Sequence, residues 1–181
     1  MKNVVLALCV GAFLVTAPTP AVAEPSFGHL VGVVPSVTVE PYYEAGELDV
    51  NILPVFYQKP LGTRVDVRLL PIVNLGVRSD GNALSHLGAE AAFPFFFKAK
   101  SQLVLPSQGV YLAPVIAATR NKLDEHRNVS LALEPGFLWL LGTRVALSLG
   151  VQVGATYFNY DDGGTDWGSH FAVRVGVGRW L

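Results

Sequence analysis

The chain has 181 residues, a formal net charge of −1 and only 15% charged residues, against about 25% in an ordinary soluble domain. With no run of Lys or Arg, nucleic acid is excluded as an expected partner. The length suits one domain, and a single cysteine excludes a disulfide-stapled scaffold.

At the amino end Lys2 precedes an apolar run from Val4 to Val15, and Ala21-Val22-Ala23 offers a small-x-small cleavage site. This pattern predicts a cleaved secretory signal over residues 1–23, too short to span a membrane, and one domain over 24–181. Cys9 falls inside the apolar run, so the exported chain is expected to fold without covalent staples.

Beyond the leader no apolar run approaches the roughly 20 residues of a membrane helix. Hydrophobicity alternates instead with period two, which predicts strands. Eight follow in order: Val31–Tyr42, Leu48–Tyr57, Arg64–Arg78, Leu87–Lys98, Val110–Arg120, Asn128–Trp139, Arg144–Tyr157 and His170–Trp180. Short connections make an up-and-down meander the simplest topology, and Asp161-Asp162-Gly163-Gly164 sits in the loop predicted over Tyr160–Ser169. The string Leu61-Gly62-Thr63-Arg64-Val65 recurs as Leu141-Gly142-Thr143-Arg144-Val145, each copy at a predicted tight turn.

The two faces of these strands differ in a telling way. One carries bulky groups, as in Val65, Val67, Leu69, Val73, Leu75 and Val77. The other carries Gly, Ala, Ser, Thr and Asn with few charges, whereas the wet face of a soluble β protein would be rich in Lys and Glu. Small residues suit the crowded inside of a narrow barrel, and the bulky face suits lipid. The expected fold is therefore all-β: a closed antiparallel up-and-down transmembrane β-barrel of about eight strands. Closure is what lets a sheet sit in lipid without unpaired edges.

Alternate threading gathers Phe56, Phe95, Phe97, Phe137, Trp139 and Trp180 at one edge. Tyr42, Tyr43, Tyr157, Phe158, Tyr160 and Phe171 gather at the other, as two aromatic girdles. Pro35, Pro54, Pro71, Pro114 and Pro135 interrupt predicted strands on the outward face and Pro94 on the inward face, which predicts bulges or weakened pairing.

Inward parity collects Glu40, Asp66, Arg68, Glu90, Glu134 and Arg174 in the lumen. Charges in so narrow a space must be paired or hydrated, so an ion-pair plug is expected. His86, His126 and His170 open the fourth, sixth and eighth strands and point inward near the outer rim, with carboxylates in adjoining loops. Such a trio is a candidate metal or pH-responsive site. No cofactor fingerprint is present.

The leader, the eight amphipathic strands, the girdles and a strand ending at the carboxyl terminus together resemble small outer-membrane barrels of the OmpA/OmpX-like class. Arg174-Val175-Gly176 is similar to the start of that class's carboxyl-terminal assembly signal, while Arg179 and Leu181 stand where aromatics are usual. The resemblance implies an outer-membrane location, contact with lipid including lipopolysaccharide, handling by the barrel-assembly machinery, and a monomer. The expected role is structural or in envelope interaction, without catalysis. Two alternatives are a narrow pore for ions or small solutes and a lipid A-modifying enzyme. Deacylases of the latter sort carry His-x-Ser, where this chain has Ser85-His86 and Ser169-His170.

Overall fold

The computed structural model describes residues 28–38, 47–79, 81–100, 106–123 and 125–181. The signal segment, Glu40, Tyr42 and Tyr43 lie outside them. Among the described residues eleven strands build eight spans. β1 (Leu30–Val33) and β2 (Val37–Thr38) form the first, β3 (Leu48–Asn51) and β4 (Val55–Pro60) the second, and β5 (Asp66–Val77) the third. β6 (Ala83–Ala92) and β7 (Phe95–Phe96) form the fourth, followed by β8 (Gly109–Asn121), β9 (His126–Leu141), β10 (Val145–Tyr160) and β11 (Thr165–Trp180).

Each span pairs antiparallel with its neighbour in sequence, and β1 pairs with both β4 and β11, so the sheet closes on itself. The closing seam is short, running from Leu30↔Trp180 to Val33↔Val177. By contrast the β10–β11 hairpin is paired from Val145↔Arg179 to Asn159↔Thr165. The loop expected over Tyr160–Ser169 is thus a correction: it shrinks to a turn at Asp161–Gly164, because the period-two pattern continues through Thr165, Trp167 and Ser169, all exposed. Gly163 and Gly142 have φ of 94° and 69°, the left-handed backbone that these tight turns require.

Alternation sorts side chains as the pattern requires. Val129, Leu131, Leu133, Val153, Val173 and Val175 are exposed on the outer wall, while Glu134, Gln152, Ala113 and Tyr111 are buried inside. Four aromatics break the girdle expectation. Phe56, Trp180 and Phe158 are buried inside the barrel, since each holds an inward position in its strand, and Tyr160 shares the parity of Phe158 and packs against buried His126. Phe95, Phe97 and Trp139 do face outward at the end that also holds Gly28 and Leu181, the terminal end.

Pro35, Pro54 and Pro94 fall in the breaks between β1 and β2, β3 and β4, and β6 and β7, where a missing donor ends the ladder. Their neighbourhood still uses the carbonyls: Pro54 accepts from the Val34 amide at 2.6 Å and Pro94 from the Asp66 amide at 3.0 Å. Pro71, Pro114 and Pro135 stay within β5, β8 and β9. A bulge between Val73 and Leu75 on the β5–β6 ladder turns both Ser85 and His86 inward.

Candidate functional site: the filled lumen

The lumen is packed in tiers. Nearest the terminal end it is apolar: Leu30, Phe56, Phe96, Leu138 and Trp180 belong to one buried cluster with Tyr111 and Leu70. This corrects the expectation of a polar interior throughout. Parity there selects inward aromatics, and a dry tier of large side chains fills the bore.

At the edge of this tier Asp66 is fully buried. It accepts from Gln58 Nε2 at 2.7 Å and from Ser107 Oγ at 2.8 Å, and Lys100 Nζ lies 3.6 Å away. Lys100 belongs to the connection between β7 and β8, where burial pushes its ammonium below the usual lysine range, against the pull of Asp66.

The middle tier joins six spans. Arg68 Nη2 of β5 lies 2.7 Å from both carboxylate oxygens of Glu134 of β9. Tyr111 donates its hydroxyl to Glu134 Oε1 at 2.7 Å. Gln152 donates Nε2 to Glu134 Oε2 at 2.8 Å and to Glu90 Oε1 at 3.2 Å. Arg174 of β11 pairs with Glu90 of β6, and His170 Nε2 meets Gln152 Oε1 at 3.0 Å. Glu134 is 0% exposed. A carboxylate so placed is stable only because cation, phenol and amide together replace its water. Space comes from absent side chains: a Cβ on Gly150 would stand 2.7 Å from Glu134 Oε1, and one on Gly136 would stand 2.4 Å from the Tyr111 ring.

Toward the far end Asp49 Oδ2 meets His86 Nδ1 at 2.7 Å and Asp49 Oδ1 meets Arg78 Nη2 at 3.0 Å. His86 and His126 are buried with ring centroids 6.0 Å apart, and Asn128 bonds to His126 Nδ1 while its Nδ2 stands 3.4 Å from His86 Nε2. A small cavity of about 80 Å³ lies between this tier and the middle one, lined by His86, Asn128, Thr156, His170 and Arg174.

The structure therefore brings Arg68, Glu134, Glu90 and Arg174 into one network and sets Asp66 apart with Gln58 and Ser107. It pairs His86 with His126, while His170 belongs to the middle tier. That separation follows from the longer hairpin: His170 is not the first residue of its strand but lies within it, opposite Gly154. Among the described residues no three His, Cys, Asp or Glu side chains gather in a way that could hold a metal ion. Gln58, Tyr111, Gln152 and Asp49 were not singled out by sequence. Inward parity beside Glu134 and Asp66 was the available signal for the first three.

No protein-family model, no curated protein and no solved structure matches the chain.

Proposed function

We propose that this protein is an integral outer-membrane barrel with a structural or envelope-interaction role and no catalytic one. The observation that carries the reading is the inversion of its two faces. Large apolar side chains cover the outer wall, whereas the inside holds a paired ionic network above an apolar tier. A wall of that kind is stable in hydrocarbon and costly in water. The terminal end faces the periplasm in this reading. The partners are outer-membrane lipid, including lipopolysaccharide, and the assembly machinery that inserts barrels; the protein acts as a monomer and takes no cofactor.

The filled bore favours a plug over a pore, the next reading in order. Purified protein in planar bilayers is expected to give no discrete conductance steps. Steady steps that change on Glu134→Gln would replace the plug with a narrow pore. A change in lipid A composition on deleting the gene would instead favour a lipid-modifying enzyme.

A further inference from the structure

The outer-membrane reading leaves open which lipids the wall meets, and charge at the terminal end speaks to that. Lys59, Arg64, Lys98, Arg144 and Arg179 are all exposed at this end. They occupy the ends of β4 and β11 and the connections β4–β5, β7–β8 and β9–β10. Among the described residues no exposed Asp or Glu side chain accompanies them, and none of the five takes part in an ion pair. The opposite end is mixed, with exposed Glu125, Asp161, Asp162 and Asp166 beside Arg120, Lys122 and Arg127.

The cations are not scattered evenly. Phe96 donates its amide to the Arg64 carbonyl at 2.7 Å and Val65 bridges to Phe95, which sets the Arg64 turn beside the segment that ends in Lys98. Directly against Lys98 the outer wall opens a groove of about 480 Å³ between Phe97 and Val110 on one side and Phe137 and Trp139 on the other. Phe97 is 58% exposed, and the Phe137 and Trp139 rings lie 4.4 Å apart, centroid to centroid. An apolar trough that ends at unpaired cations has the amphiphilic order of a phospholipid: hydrocarbon along the wall, anionic phosphate at the rim.

We propose that this groove and its cations form a binding site for an anionic phospholipid, its acyl chain along Val110, Phe137 and Trp139 and its phosphate on Arg64 and Lys98. The proposal rests on the membrane reading above. A soluble phosphate would gain nothing from the trough, and an acidic polymer would gain nothing from its aromatic walls, so a lipid is the occupant that uses both.

The test uses the full chain carrying Trp167→Phe, in vesicles of phosphatidylcholine doped with brominated phosphatidylglycerol or brominated phosphatidylcholine. Trp139 then reports, since Trp180 is buried in the lumen. Brominated phosphatidylglycerol is expected to compete about fivefold better than its zwitterionic counterpart, the worth of one well-placed cation near a lipid surface. The preference should fall toward one in Arg64→Gln/Lys98→Gln and, in the parent, at molar salt. It should persist in Lys122→Gln/Arg127→Gln. Equal quenching by both lipids would overturn the site and leave the membrane reading intact, as would a preference that survives Arg64→Gln/Lys98→Gln. Quenching by neither would overturn both.

Discussion

Glu134 is where the interior is most exposed to challenge by a single substitution. Its carboxylate is dry and is held by Arg68, Tyr111 and Gln152 at once. Removing one partner of such a pair leaves a buried charge uncompensated, at a cost of about 3–5 kcal/mol. Arg68→Met should therefore lower stability by about that much in urea unfolding from lipid vesicles. Arg68→Met/Glu134→Gln should be more stable than Arg68→Met alone, because the amide still accepts from Tyr111 and carries no charge. A double variant no better than the single one would show that Glu134 does not depend on Arg68.

Lys100 gives the pH counterpart. Its ammonium is disfavoured in the folded chain, while the unfolded chain holds the proton up to about pH 10.4. Between those two values the unfolded state binds more protons, so stability should rise with pH. Lys100→Met should flatten that slope in urea midpoints taken from pH 8 to 10.5. The sequence showed these residues unevenly. Charge and parity point to Arg68, Glu90, Glu134 and Arg174. Gln152, Gln58 and Tyr111 carry equal weight in the network but no formal charge, so a search for charged side chains passes over them.

Among the elements the first span is the vulnerable one, since β1 closes the barrel with four residues. A Cβ at Gly32 would stand 2.2 Å from the Val177 carbonyl and 2.6 Å from the Phe56 ring. Backbone on one side and a buried ring on the other cannot both yield. Gly32→Ala should thus cost about 1–3 kcal/mol by overpacking, seen as a lower urea midpoint and a folded band that melts at lower temperature. An unchanged midpoint would mean that the seam relaxes freely.

Strand identity was legible from alternation because a barrel wall has two chemically distinct faces everywhere. What alternation missed was where pairing stops. β10 and β11 run on through polar residues such as Asn159, Asp166 and Ser169, which continue a ladder without adding to an apolar face. Local pattern therefore began the last strand too late, at His170, and sent that histidine to the rim. The same limit applies to Phe56, Phe158 and Trp180: an aromatic near a strand end reads as girdle until its parity is counted.

For the whole molecule, the faces, the tiers and the closure depend on one another. An apolar wall needs hydrocarbon outside, a narrow bore needs its inward charges paired, and a sheet in hydrocarbon needs a closed edge. Eight spans provide the closure, and the apolar and ionic tiers provide the filling. The measurement that tests this most directly is electrophoretic mobility of the protein extracted from the membrane fraction, in SDS, before and after boiling. A closed barrel with a hydrogen-bonded wall and a packed bore should migrate as a compact band until heated, then shift to its unfolded position. Recovery from the soluble periplasm with no heat-dependent shift would contradict the account, because the apolar wall would then have to face a protein interior.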